Sequence, residues 1–538
     1  MTHTTPYRML IAVTSLGALL AGCAGQPDAA SGSAPAASYE PRDTCFTDLP
    51  EQVDDDLAFE CGYVVVPETR GAGDGRTVEL GVMRFDSGQD ESRAPLFMLA
   101  GGPGQTAIEL DSLALMQTRL LGQVLKDRDI VLLEQRGTRN TSVHLDCPEI
   151  QASAWVAYER GLDELETETL QVGLLEQCID EFEAQGVNLD AYNSVENAAD
   201  VDAAREALGY DRIIYYGASY GSQLGQHVMR DFPDSLQAVI LDGANSLSRK
   251  SWVEDRALDA EWGIDNLTSL CEADPGCRDN YDIPRLVDAA LAQFDDGPLP
   301  YRFTDPSDPS LAVEGFVTVD DLAGLIYEMQ GSVIGAFALP ATLELLGTKG
   351  NTDTLVEVLG QRKGGELLAG RQASGPAGMA MLMHFAMVCS DDPVHSTDDV
   401  ITDGTGAYAT RHGIFLAEEY VLACSVLDME ELPDSTDRDV DVDVPVLLLS
   451  GGLDVATPSY RSQIVADALP NATHLVFPGR THVQLSGVNL CAFDIMAQFT
   501  RNPNGSLDTS CMKETPVMGF ILGDGTISTD QGATSPQD

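Results

Sequence analysis

The chain of 538 residues is long enough to bury a large core and favours one large domain with an insertion, or two domains. Hydrophobic residues make up 43% of the chain, which excludes a largely disordered protein. Its 85 acidic and 31 basic residues give a formal net charge of −54, and a field of that sign repels phosphate backbones and argues against nucleic acid as a partner. We interpret the acidic excess as a solvated surface, with attraction of cationic substrates as the alternative.

The amino terminus resembles the signal of a bacterial lipoprotein. Arg8 precedes the apolar run 9–21, which is too short to span a bilayer as a finished helix. The run ends in Leu-Ala-Gly-Cys, so residues 1–23 are predicted to be a lipoprotein signal peptide with Cys23 lipidated, the alternative being a plain signal peptide. Residues 24–44, rich in Ala, Gly, Ser and Pro, are predicted to be a flexible linker. The predicted location is the bacterial cell envelope, on the periplasmic side or the cell surface, with the lipid anchor as the only membrane contact.

Cysteine usage agrees with export. Apart from Cys23 there are ten cysteines, an even number that suits a compartment in which disulfides form. None shows the paired two-residue spacing of a zinc site, so structural bridges are favoured over a metal site. Neighbours in the sequence suggest the pairs Cys45–Cys61, Cys147–Cys178, Cys271–Cys277, Cys389–Cys424 and Cys491–Cys511.

Six short apolar segments bounded by turn residues are typical of buried parallel strands. They lie at residues 95–100, 129–133, 212–216, 238–241, 444–450 and 474–477. Helical patterns lie between them, for example at 198–208 and 222–231. This alternation predicts an α/β fold with a mostly parallel sheet and helices on both faces.

The interval 246–440 breaks the alternation. It has no convincing strand and carries amphipathic helical runs at 252–270, 284–294, 319–329, 354–359 and 379–388. We predict a helical cap inserted between two strands of the sheet. The chain then divides into a first core part at 45–245, the cap at 246–440, a second core part at 441–522 and a polar tail at 523–538.

The sharpest chemical signal is Gly217-Ala218-Ser219-Tyr220-Gly221, which follows a predicted strand and leads into a predicted helix. A G-x-S-x-G sequence between strand and helix is typical of a nucleophile elbow, in which small flanking residues allow the two backbones to approach closely. The serine side chain is thereby held at the tip of a tight turn. We predict Ser219 to be a catalytic nucleophile.

A serine hydroxyl needs a base, and the base needs an acid that orients it. When the chain order is Ser, acid, His, the base lies late in the chain, where only His474 and His482 follow the penultimate strand. His474 opens a strand, whereas His482 lies in a loop just past the last one, so His482 is the predicted base. Asp454 directly follows the strand 444–450 and is the predicted acid.

Negative charge that develops on a substrate oxygen needs backbone donors. The predicted donors are the amide of Tyr220 and that of Gly102, in the glycine-rich loop 101–104 after the first predicted parallel strand. The loop lacks the Lys-Ser/Thr of a phosphate-binding loop, and the chain has no H-E-x-x-H zinc helix. We predict neither a cofactor nor a metal.

Three segments together resemble the proline iminopeptidase and tripeptidyl aminopeptidase branch of the α/β-hydrolase fold serine peptidases. They are the loop 101–104, the Glu-Gln-Arg-Gly-Thr segment at 134–138, and the elbow. Esterases and lipases of this fold more often carry a His-Gly-Gly-Gly loop. The branch usually has aspartate where Glu134 stands and often glycine where Ala218 stands. These two differences leave the predicted catalytic residues unchanged and bear only on the fine substrate specificity that the resemblance implies.

The resemblance implies the α/β-hydrolase fold and cleavage of short peptides from a free amino end, through an acyl-enzyme on Ser219. Release of one residue and release of three are both compatible with it. Such an enzyme needs buried carboxylates for the substrate ammonium, and Asp391 and Asp392 in the cap are the candidates, a disulfide anchor with solvated acids being the alternative. The alternative function is a lipoprotein esterase that uses the same residues on small acyl esters. The intact set of predicted catalytic and oxyanion residues argues against a catalytically inactive binding protein.

Overall fold

The computed structural model describes residues 37–46, 58–73, 75–88, 93–108, 123–124, 126–347, 352–372, 378–514 and 517–528. The predicted signal peptide with Cys23, and residues 24–36 of the predicted linker, lie outside these ranges. Among the described residues, no helix combines the length and the apolar character that crossing a membrane requires.

Nine strands form one sheet in the order β1-β2-β3-β5-β4-β6-β7-β10-β11. Their bounds are β1 Ser38–Arg42, β2 Phe59–Pro67, β3 Thr77–Phe85, β4 Leu96–Leu99, β5 Ile130–Leu133, β6 Ile213–Ala218, β7 Leu236–Asp242, β10 Val446–Gly451 and β11 Ala472–Phe477. The six strands β5, β4, β6, β7, β10 and β11 pair with their neighbours in parallel. Strands β1, β2 and β3 pair antiparallel, and β3 is also antiparallel to β5. Every residue of β4, β5 and β10 is buried, because helices cover both faces. The predicted mostly parallel sheet is confirmed.

The described helices fall into two groups. Those of the core are α1 Pro148–Arg160, α2 Glu164–Ala184, α3 Ser194–Ala207, α4 Tyr220–Asp231, α13 Ser459–Ala468, α14 Leu490–Arg501 and α15 Ser510–Glu514. Those between β7 and β10 are α5 Arg256–Ala273, α6 Pro275–Arg278, α7 Ile283–Leu291, α8 Val319–Gln330, α9 Val333–Gly347, α10 Thr352–Gln372, α11 Met381–Asp391 and α12 Ala407–Leu427. The second group forms the predicted helical cap.

The expectation that the cap contains no strand is wrong. A hairpin of β8 (Leu299–Thr304) and β9 (Ala312–Val317) lies between α7 and α8. Buried and exposed residues alternate along β8, so it lacks the continuous apolar run that marks the core strands. Strands β2 and β3 were missed for a related reason, because polar residues and glycine interrupt their apolar residues near the sheet edge.

Two predicted boundaries also need correction. Residues 38–42 of the predicted linker form the edge strand β1, where the ring of Tyr39 covers Gly62 of β2. The predicted polar tail begins too early, because residues 523–528 pack on the cap: the Gly523 amide donates to the Tyr281 hydroxyl at 2.6 Å. Residues 529–538 lie outside the described ranges.

All five predicted disulfides are present. They join Cys45 to Cys61, Cys147 to Cys178, Cys271 to Cys277, Cys389 to Cys424 and Cys491 to Cys511. Disulfides persist in oxidising compartments and are rare where thiols are kept reduced. The bridges therefore indicate an exported protein.

Candidate active site

The predicted elbow between β6 and α4 has the geometry of a strained turn. Ser219 has φ 54, in the left-handed region that L-residues rarely adopt, and its amide donates to the carbonyl of Asp242 at 2.9 Å. A Cβ on Gly217 would overlap the backbone of Gly221, and one on Gly221 would lie 2.7 Å from the carbonyl oxygen of Ala100. Glycine is therefore required on both sides of the serine, as the G-x-S-x-G pattern predicts.

His482 and Asp454 form a direct pair. His482 Nδ1 lies 2.9 Å from Asp454 Oδ2, and Asp454 is completely buried at the end of β10. Asp454 Oδ1 accepts the amides of Ala456 and Thr457, each at 2.9 Å, and Oδ2 accepts the Thr457 hydroxyl at 2.7 Å. The acid is thus fixed by its own loop, and it fixes the tautomer of the imidazole. His474, the histidine rejected above, bonds Ser450 and Gln463 instead.

The electrostatics of the pair suit an acid and a base. Burial acts to lower the pKa of His482, but the charge and hydrogen bond of Asp454 outweigh it, so the pKa is raised above its ordinary value. Burial acts to raise the pKa of Asp454, but the charge of His482 and the bonds from Thr457 hold it below its ordinary value. Asp454 therefore stays ionised and stabilises a protonated ring.

Ser219 and His482 share no hydrogen bond among the described residues, but both contact the short segment Asp242–Gly243. The amide of Ser219 bonds Asp242, and a Cβ on the next residue, Gly243, would lie 3.3 Å from Cε1 of His482. Catalytic hydrogen bonds are often long in unliganded enzymes and shorten when substrate binds. The arrangement therefore suits proton transfer from Ser219 to His482 in a substrate complex.

The glycine-rich loop lies against the elbow. A Cβ on Gly101 would come within 2.8 Å of the Ser219 Cβ, and Gly102 (φ 108) lines the same cavity as Ser219 and Tyr220. The amides of Gly102 and Tyr220 donate to no group within the described part of the chain. Both predicted oxyanion donors thus border the cavity with free N–H groups.

The Glu-Gln segment after β5 anchors this loop at both ends. Gln135 Nε2 donates to the carbonyl of Ala100 at 2.7 Å, just before the loop. The buried carboxylate of Glu134 accepts the hydroxyl of Thr106 and the amide of Ile108 (3.0 Å), just after it. The segment that carried the family resemblance therefore has a physical role in holding the loop.

The two aspartates predicted to bind substrate lie in the same cavity as Ser219. Asp391 accepts the amide of Ser194 at 3.1 Å and its hydroxyl, and that hydroxyl lies 2.6 Å from the hydroxyl of Tyr220. Asp392 lies 3.4 Å from Nη2 of Arg249. Burial raises the pKa of Asp391 to about 7. Asp391 thus has only neutral partners, whereas Asp392 has a cation beside it.

The cap roofs the cavity, which has a volume of about 660 Å³ including its open mouth. Helix α11 is bonded to the glycine-rich loop: the amide of Ala380 donates to Gly104 at 2.9 Å, and His384 Nδ1 lies 3.0 Å from the carbonyl oxygen of Pro103. The sequence analysis missed several lining or supporting residues. These are Ser194, Arg249, Trp252, Arg256, His384 and Thr457. Of these, only Thr457 carried a signal, the Thr-Pro turn that follows Asp454.

Comparisons with known proteins agree with this geometry. Residues 94–296 match the family model of the alpha/beta hydrolase fold, and residues 412–511 match that of the TAP-like proteins. The chain has the α/β-hydrolase fold. Serine protease Hip1 of Mycobacterium tuberculosis (strain ATCC 25618 / H37Rv) is 26% identical over 474 residues, which cover 83% of this chain and 86% of that protein.

Two further comparisons found peptidases. Tripeptidyl aminopeptidase of Streptomyces coelicolor is 27% identical over 217 residues, 38% of this chain and 39% of that protein. Among solved structures, the proline iminopeptidase of Mycobacterium smegmatis is 17% identical with a TM-score of 0.37, covering 82% of this chain and 98% of that one. The similarity to Hip1 and to the tripeptidyl aminopeptidase supports a serine peptidase of the α/β-hydrolase type.

Proposed function

We propose that this α/β-hydrolase is an exopeptidase that releases residues or short peptides from the free amino terminus of peptides. The observation that carries the proposal is the presence of two carboxylates in the cavity that holds Ser219, the buried Asp391 and the partly buried Asp392. A buried carboxylate with neutral partners gains most from an incoming cation, because burial disfavours its charge. The substrate ammonium is such a cation.

The proposed chemistry is acyl transfer. Ser219 attacks the scissile carbonyl while His482 takes its proton, and the amides of Gly102 and Tyr220 stabilise the negative oxygen. His482 then protonates the leaving amine, and an acyl-enzyme remains on Ser219. Water, activated by His482, hydrolyses this ester and regenerates the serine. Asp454 holds the ring and stabilises its protonated form in both halves of the cycle.

The cap supports exopeptidase rather than endopeptidase specificity. The roofed cavity encloses short peptides and excludes folded proteins. Of the two carboxylates, Asp391 has only the groups of Ser194 as hydrogen-bond partners, whereas Asp392 already faces Arg249. We therefore propose that Asp391 makes the main contact with the ammonium and that Asp392 adds to the local field.

The test is a panel of chromogenic amides of Pro, Ala and Ala-Ala-Pro, each with a free and an acetylated amino end, and a short acyl ester. We expect turnover of the free-amine substrates and at least a tenfold loss on acetylation, and the best substrate decides between one released residue and three. Asp391→Asn should raise KM for the free-amine amides without changing that for the acetylated ones. Ser219→Ala is the inactive control, with an expected loss on the order of 10⁶ in kcat.

Three results would contradict the proposal. Equal turnover of free and acetylated amides would contradict the proposed binding of the substrate ammonium. Rapid ester cleavage without amide turnover would favour the alternative esterase function. Activity of Ser219→Ala within tenfold of the parent would remove the nucleophile assignment itself.

We also propose that the protein is anchored through a lipid on Cys23. The Leu-Ala-Gly-Cys sequence supports this proposal. Mass spectrometry of the purified mature protein should show a diacylglyceryl modification at this cysteine, and Cys23→Ser should release the protein from the membrane fraction. An unmodified mature amino terminus at another residue would contradict it.

A further inference from the structure

A buried carboxylate that the proposed chemistry does not use lies behind the base. Asp242 is the last residue of β7, and its side chain is completely buried. Its Oδ1 accepts the amide of Gln484 at 2.8 Å, and its Oδ2 accepts the amide of Leu485 at 3.0 Å and the hydroxyl of Tyr216 at 2.9 Å. All three donors are neutral, and within the described ranges no lysine or arginine forms an ion pair with it.

These bonds hold the turn that carries the base. Val483, next to His482, has φ 56, a left-handed conformation that a β-branched residue adopts only when the surrounding structure enforces it. The two amides that follow, of Gln484 and Leu485, are those that Asp242 accepts. The carboxylate therefore stabilises the strained turn in the conformation that places His482 against Asp454 and beside Gly243.

The same residue also contacts the nucleophile. The carbonyl oxygen of Asp242 accepts the amide of Ser219 at 2.9 Å. The next residue, Gly243, has φ 75, and a Cβ there would lie 3.3 Å from Cε1 of His482. The main chain of Asp242 thus positions the elbow while its side chain positions the base loop, so one residue sets the relation between Ser219 and His482.

Three charged groups face His482 from different elements. Asp454 lies after β10, Asp242 ends β7, and Arg256 lies on the cap helix α5; both carboxylates favour the protonated ring and Arg256 opposes it. Burial raises the pKa of Asp242 to about 6, against its three hydrogen bonds and the charge of His482. At neutral pH the ring that receives the serine proton therefore has two ionised carboxylates near it.

We propose that Asp242 is a positioning residue for the reaction: it holds the base loop against the nucleophile elbow and its charge stabilises the protonated form of His482. The inference rests on the proposed roles of Ser219 and His482. It adds a second carboxylate, which transfers no proton and touches no substrate, to the residues on which turnover depends.

The test compares Asp242→Asn with Asp129→Asn, using the best substrate of the panel. Asp129 is the control: like Asp242 it accepts three neutral donors, here the amide and hydroxyl of Ser87 and the hydroxyl of Tyr210, but it precedes β5 at the opposite end of the sheet. The readout is the acid limb of the kcat/KM profile, which reports the ionisation of the free enzyme. We expect Asp242→Asn to lower kcat about tenfold or more and to move the limb to lower pH by on the order of half to one unit.

Asp129→Asn should leave both the acid limb and kcat unchanged. An acid limb of Asp242→Asn that coincides with the parent's would overturn the electrostatic role, and an unchanged kcat would overturn the positioning role. If Asp242→Asn does not fold, Tyr216→Phe is tested in its place. That variant removes one hydrogen-bond donor from the carboxylate of Asp242, so Asp242 protonates at higher pH and the acid limb should again move to lower pH. No movement in that variant would also overturn the proposal. An active Ser219→Ala variant would instead refute the proposed function.

Discussion

Replacing Asp454 with Asn should disable the base through its tautomer. Because the amides of Ala456 and Thr457 both donate to Oδ1, the oxygen of the new amide must occupy that position. Its NH2 group then stands where Oδ2 lay, 2.9 Å from Nδ1 of His482. An NH2 group in that position donates to Nδ1, so the ring proton moves to Nε2, which can no longer accept a proton from Ser219.

The expected loss is about 10⁴ in kcat, or about 5 kcal/mol of transition-state stabilisation. The assay is steady-state hydrolysis of the best free-amine amide, with KM and the thermal midpoint measured on the same preparations. KM should change little, because Asp454 does not touch the substrate. The control is Asp129→Asn, which removes a carboxylate with three hydrogen bonds at the other end of the sheet. A kcat of Asp454→Asn within tenfold of the parent would refute the reasoning.

Three further predictions follow from the charges and bridges. Because the pKa of His482 is raised and catalysis needs its neutral form, kcat/KM should fall as pH drops through a midpoint above about 6.5; a lower midpoint would contradict this. Burial raises the pKa of Asp391 to about 7, so its ionisation destabilises the fold as pH rises towards 7, and Asp391→Asn should raise the thermal midpoint at pH 8 but not at pH 4. Replacing Cys389 and Cys424 with Ser removes a disulfide with a sequence separation of 35. The free energy of unfolding, measured with denaturant, should then fall by on the order of 3–4 kcal/mol, and an unchanged value would contradict this expectation.

The placement of the candidate catalytic residues could be predicted because it depends on chain order and strand ends. The carboxyl ends of parallel strands meet at one edge of a sheet, so an elbow after β6, an acid after β10 and a histidine after β11 converge whatever the intervening cap does. The core strands could be predicted for a similar reason, since burial on both faces leaves a continuous apolar run.

What could not be predicted depends on packing between distant segments. Ser194 bonds Asp391 across 197 residues, and neither its type nor its position signals that contact. The edge strand β1 is mostly exposed, so its sequence has no apolar period to detect. The buried role of Asp242 was hidden for another reason: an aspartate at a strand end, in a chain with 85 acidic residues, gives no distinct signal.

The bonds between helix α11 and the glycine-rich loop have a consequence for how the enzyme discriminates by size. The amide of Ala380 and the ring of His384 hold the carbonyls of Gly104 and Pro103, which directly follow the proposed oxyanion donor Gly102. A polypeptide too large to be enclosed would lift this helix and detach the loop from its support. Such a chain would meet a nucleophile without an assembled oxyanion hole, so the enzyme would spare it even if it reached the serine.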